Sequence, residues 1–159
     1  IVLKEAIICA LYEVLTLIIM PISYGDIQFR VSEVLILLCF YDKKNVIGLI
    51  LGCFIANCFS PMFLFDITLG VIATALSLLC IVFIKNMYIA ATCPVVINGL
   101  IIGLELYLAL GLPFIVSSLW VALGEAVVMI IGVILFKILE KNKYIYKNIL
   151  VDNYECTRN

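Results

Sequence analysis

Apolar runs follow one another along nearly the whole of this chain, each closed by a short polar or proline-bearing break. A soluble fold with one core has no place for so many. Read as helices, the runs cover Lys4–Ser23, Val31–Tyr41, Val46–Phe59, Ile67–Ile84, Tyr88–Leu110 and Phe114–Leu139, and the breaks fall at Pro21, "YDKKN", "FSP", "KNM" and "GLP". A bilayer-spanning helix needs about 20 apolar residues, so the second and third runs are short and are expected to tilt or to end in polar loops enclosed by protein. The chain is 66% hydrophobic and 13% charged, whereas soluble domains carry about a quarter charged residues. Because the pattern recurs to about residue 139, a cleaved signal peptide is not expected. The expectation is an all-α polytopic membrane protein, with a six-helix membrane domain over residues 1–140 and a polar, solvated tail over residues 141–159.

Basic residues orient such a bundle. With six crossings and the N-terminus inside, Lys4, Lys43, Lys44, Lys85, Lys137, Lys141, Lys143, Lys147 and Arg158 fall on the inner face and Arg30 alone on the outer. Nine against one is a strong positive-inside bias, which puts both termini in the cytoplasm.

In that topology the remaining polar residues collect toward the outside. Asp26, Gln28, Arg30 and Glu33 lie in or beside the first outer loop, while Asn57 and Asp66 bracket the second. Asn98 and Glu105 are seven residues apart in the fifth run and so share a helix face, and Glu125 lies near mid-depth in the sixth. Ionisable groups inside a membrane cost several kcal/mol and usually mark a site or pathway. Together these residues predict a ligand pocket open to the outside. Plainer roles compete for individual members. Arg30 and Glu33 suit a structural ion pair, Asn57 a backbone bridge, and Glu125 a proton relay. Trp120, Tyr107 and Tyr24 suit either the interfacial aromatic belt or stacking on a planar ligand. Glu13, mid-helix, has no evident partner. Ala6 and Ala10 form an A-x-x-x-A pair that would let another helix approach closely, and Gly48 and Gly52 repeat the spacing within the bundle.

Several chemistries are excluded. There is no G-x-x-x-x-G-K-[ST] loop for nucleotide phosphates, no H-E-x-x-H, no G-x-S-x-G and no histidine at all. Of seven cysteines, six sit in apolar runs, where cysteine acts as a small hydrophobe. Neither metal nor enzymatic chemistry is expected.

The stretch "ALYEVLTLIIMPISYGDIQFRVSEVLILLCFYDKKNVIGLILGCFIANCFSP", followed by "FDITLGVIATALS", resembles the QueT family. "PISYG", "IQFRVSE", "GCFIAN" and "DITLG" carry the likeness, which is dense from Ala10 to about Ser77 and looser through "INGLIIGLEL" and "LGEAVVM". Glu13 departs from it, standing where an apolar residue is expected. The resemblance implies a substrate-binding S component of an energy-coupling factor transporter. Its partners would be a transmembrane coupling protein and two ATPase subunits, with no nucleic acid and no cofactor. It further implies that Ala6 and Ala10 meet the coupling protein, and that the loaded protein topples in the membrane to deliver its ligand. The implied ligand is a 7-deazaguanine, either the aminomethyl precursor of queuosine or queuine. Gln28, Arg30 and Glu33 would contact it or order a lid, and Asn57, Asp66, Asn98, Glu105, Glu125 and Trp120 would complete the pocket. The competing reading is a stand-alone proton-coupled secondary carrier for a small planar solute, using Glu13, Glu105 or Glu125.

Overall fold

In a computed structural model, residues 2–23, 29–146 and Leu150 are described. Gln28, Asp26 and Tyr24, together with most of the tail beyond Tyr146, lie outside the described residues. Six helices correspond to the six apolar runs: α1 (Val2–Ile18), α2 (Val31–Tyr41), α3 (Val46–Asn57), α4 (Phe63–Phe83), α5 (Met87–Leu110) and α6 (Phe114–Lys141). No strand occurs among the described residues. By length and composition α4, α5 and α6 can each cross a membrane, at 21, 24 and 28 residues with mean hydropathies of 2.2, 1.9 and 2.5.

The shorter helices depart from regular geometry in ways that bear on the site. α1 ends at Ile18 and is followed by a single turn, Met20–Ser23, around Pro21. α2 begins as a 3-10 helix over Val31–Leu37 and becomes α-helical only at Leu38–Tyr41. A 3-10 helix rises about 2.0 Å per residue against 1.5 Å, so eleven residues reach roughly 20 Å, well short of a bilayer core of about 30 Å. α4 contains a π-helical turn over Asp66–Gly70. Such turns are frequent at functional sites, because the wider register displaces one residue from the helical ladder.

Around the bundle the neighbours run α1, α3, α4, α5, α6, with α2 packed between α6 and α1 and touching α3 and α4 as well. That inward position explains why Ser32, Glu33, Val34, Ile36, Leu37 and Cys39 of this short helix are all buried. The main core joins Ile8, Tyr12, Leu37, Leu49, Leu78 and Met129 from α1, α2, α3, α4 and α6. A smaller one, Ala73, Ile102, Leu106 and Val121, sits between α4, α5 and α6. Large apolar side chains such as Ile7, Ile72, Leu100, Leu119 and Ile134 stay exposed on the outer faces. A soluble protein rarely exposes so much, whereas lipid makes it favourable.

Breaks and caps are local chemistry. Asn86 accepts the Tyr88 N–H at 2.9 Å and starts α5. Gly111, at φ 68°, ends it in the left-handed conformation that glycine adopts without steric penalty. At the lysine-bearing end Lys4 Nζ reaches Asp42 at 2.7 Å, and Asp42 also accepts the Lys44 N–H at 3.0 Å. Burial would push the Asp42 carboxyl up, but these two donors outweigh it and hold the group below the ordinary aspartate range. Beyond Lys141 the chain turns back. Ile145 packs on the core, the Tyr146 ring lies 6.3 Å from that of Tyr41, and Leu150 is buried. The sequence pattern promised only a solvated tail. It missed this because "YIY" and "ILV" are apolar clusters of three residues each, too short to give a periodic signal.

α5 and α6 make the most extensive pairing. A Cβ built on Gly103 would stand 2.8 Å from Ser118 Cα and 2.9 Å from its Cβ, and one on Gly99 3.0 Å from Ala122 Cβ. Gly103→Ala should therefore drive the two helices apart and destabilise the bundle by about 1–3 kcal/mol. Ser118→Gly in the same chain should recover part of that loss in thermal unfolding. Gly48 and Gly52 likewise face α1, with Glu5 backbone oxygen and Tyr12 Cβ at 2.7 and 2.8 Å from their built Cβ positions. Their spacing thus serves packing inside the bundle.

Candidate functional site

At the end opposite the lysines, all six helices turn polar side chains inward. Arg30, immediately before α2, places Nη2 at 2.5 Å from Asp66 Oδ1, and both residues are buried. Ser60, in the α3–α4 loop, donates to Asp66 Oδ2. The Asp66 backbone carbonyl accepts the Asn57 side-chain amide at 2.8 Å as well as the Val71 N–H of the π-helical turn. So the irregular turn in α4 is pinned from three sides, and Gly70 leaves room for it: a Cβ there would lie 3.0 Å from Asn57 Nδ2. Asn57 has taken the backbone-bridging role.

Arg30 and Glu33, three residues apart, attract each other and each also reaches a further partner. Arg30 bonds Asp66 across the bundle. Glu33 Oε1 accepts from the Tyr12 hydroxyl of α1 and from Thr74 of α4 at 3.4 Å. Thr74 is in turn met by Cys53 at 3.3 Å. Asn98, on the buried face of α5, lies against both Glu33 and Glu125 of α6. Glu105, two turns further along that same face, stands against Asp66. Apart from that neighbouring acid, neither Glu105 oxygen has a hydrogen-bond partner. Glu33 Oε2, Asn98 Oδ1 and Glu125 Oε1 are also buried without one.

Of the residues singled out from the sequence, Arg30, Glu33, Asn57, Asp66, Asn98, Glu105 and Glu125 are thus brought together and buried. Trp120 is not among them. It is 51% exposed, whereas Ser117, Val121 and Glu125 of the same helix are buried, and such exposure suits the membrane interface. Gln28 lies outside the described residues. Tyr12, Ser60 and Thr74 were not foreseen. Tyr12 did carry a signal, since Ile8, Tyr12 and Thr16 repeat every four residues and make the inward face of α1. Ser60 and Thr74 carried none, since a loop hydroxyl beside a proline usually serves the turn and a hydroxyl in an apolar run is usually satisfied by its own helix.

A second feature lies at the other end of α1. Ala6 and Ala10 are exposed and line a groove of about 550 Å³ with Cys9, Glu13, Ile47 and Leu51, between α1 and α3. Glu13 is half-buried at its edge. Among the described residues no group of histidine, cysteine and carboxylate side chains is arranged to hold a metal ion.

Buried acids that lack partners, enclosed by membrane-length helices, suit a membrane protein that takes up a polar solute. Comparison with known proteins agrees. A relative described as "Queuosine precursor transporter QueT", from Lactococcus lactis subsp. cremoris (strain MG1363), is 44% identical over 71 residues. That match covers 43% of this chain and 41% of the relative, so it spans less than half of that protein's length. No solved structure matches. Residues 2–141, nearly the whole chain, match the QueT transporter family. This multi-pass membrane protein belongs to the QueT transporter family.

Proposed function

We propose that this chain is the substrate-binding S component of an energy-coupling factor importer for a queuosine precursor, a 7-deazaguanine such as the 7-aminomethyl compound or queuine. The observation that carries the reading is the set of buried acceptors without donors at Glu33, Asn98, Glu105 and Glu125, in a chain of this family. Buried carboxylates left unpaired are costly, and a ligand with several N–H groups would satisfy them. The guanine-like edge of a 7-deazaguanine offers such donors to a carboxylate, and Arg30 and Ser60 hold Asp66 in place beside Glu105. In this reading the lysine-bearing end faces the cytoplasm. As an S component it would draw its energy from a coupling protein and ATPase subunits, in keeping with a sequence that holds no phosphate-binding loop.

Binding is testable on the purified protein by calorimetry with 7-aminomethyl-7-deazaguanine. Glu105→Gln should weaken it by about 1.5–3 kcal/mol, the worth of a hydrogen bond to a charged group. Unchanged affinity would move the pocket elsewhere. Uptake by cells should stop when ATP is depleted. An immediate halt on collapsing the proton gradient, with ATP maintained, would favour a proton-coupled carrier instead.

A further inference from the structure

Charge does not balance within the buried polar end. Among the described residues it holds the carboxyls of Glu33, Asp66, Glu105 and Glu125 and the guanidinium of Arg30. Asp66 has Arg30 and Ser60. Glu33 has the hydroxyls of Tyr12 and Thr74 on one oxygen, and its other oxygen is bare. Asn98 stands against both Glu33 and Glu125, and its own Oδ1 has no donor. These three side chains are 1%, 5% and 3% exposed, so bulk water does not satisfy them.

We infer that Glu33, Asn98 and Glu125 form an ammonium subsite, which makes this protein selective for ligands carrying a cationic amine over neutral ligands of the same shape. Three unpartnered oxygens (Glu33 Oε2, Asn98 Oδ1 and Glu125 Oε1) match the three donors of a primary ammonium, and two carboxylates supply the opposite charge. The amide has a distinct part. Its N–H₂ group separates two acids that would otherwise repel, while its oxygen faces the cation. Glu105, nearer Asp66, is left for the heterocycle's N–H edge. The subsite rests on the function proposed above and specifies which end of the ligand goes where.

The test compares two ligands on the intact purified protein: 7-aminomethyl-7-deazaguanine, and 7-methyl-7-deazaguanine, which lacks the amine. The amine should bind about 10- to 100-fold more tightly, the range of a charge-assisted hydrogen bond. Glu125→Gln and Asn98→Ala should each weaken amine binding and narrow that preference. Equal affinity for the two ligands in the unaltered protein would overturn the subsite while leaving the transport reading intact. If neither ligand bound, both would fall. A full preference persisting in folded Glu125→Gln protein would place the amine elsewhere and also overturn it.

Discussion

Replacing Arg30 by methionine is expected to destabilise the bundle by about 3–5 kcal/mol, the loss seen when one partner of a buried ion pair is removed. The reason is geometric. Asp66 is fully buried, and its Oδ1 faces Arg30 at 2.5 Å. Without the guanidinium, Asp66 keeps the Ser60 hydroxyl but lies beside Glu105, another acid. The damage should spread, because Asp66 opens the π-helical turn that Asn57 ties to α3. Thermal unfolding in detergent checks this. Asp66→Leu combined with Arg30→Met should be more stable than Arg30→Met alone, since replacing a whole buried pair by apolar groups is often neutral. A single variant within about 1 kcal/mol of the parent would show that Arg30 is solvated rather than locked.

If the chain is the S component proposed above, Ala6→Leu with Ala10→Leu should weaken its assembly with the coupling protein while ligand binding by the isolated chain persists. Both alanines are exposed on the groove between α1 and α3, so the bundle's own packing does not depend on them. Leucine is as good a helix former as this position needs, so α1 should stay folded. A helix seated against alanine every fourth residue sits too close for two isobutyl groups, and overpacking costs about 1–3 kcal/mol at each site. Together that weakens association by more than tenfold, measurable by co-purification with the coupling protein. If the double variant lost ligand binding as well, this face would belong to the bundle interior.

How much was legible in the sequence depends on the kind of information. Six apolar runs became six helices because hydrophobic length is a local property, and the breaks at "KNM" and "GLP" became an Asn86 cap and a left-handed Gly111 for equally local reasons. That Asn98 and Glu105 share a buried face followed from their spacing alone. Chemistry between helices was not legible. The spacing of Arg30 and Glu33 allowed for an ion pair between them, but it gave no sign that Arg30 would also reach Asp66 across 36 residues of chain or that Glu33 would reach Tyr12 in α1. Trp120 read either as an interfacial aromatic or as a stacking platform, and it is 51% exposed.

By itself, the sequence determined that this chain is a helical membrane protein, where its helices lie and which of their faces carry acids and amides, since each of these follows from residue type and period within one segment. Only the tertiary structure decided which polar groups meet and which are left without donors. Partner choice depends on the distance and direction between helices, and those are set by close approaches such as Gly103 on Ser118 and by α2 entering the bundle as a short 3-10 helix.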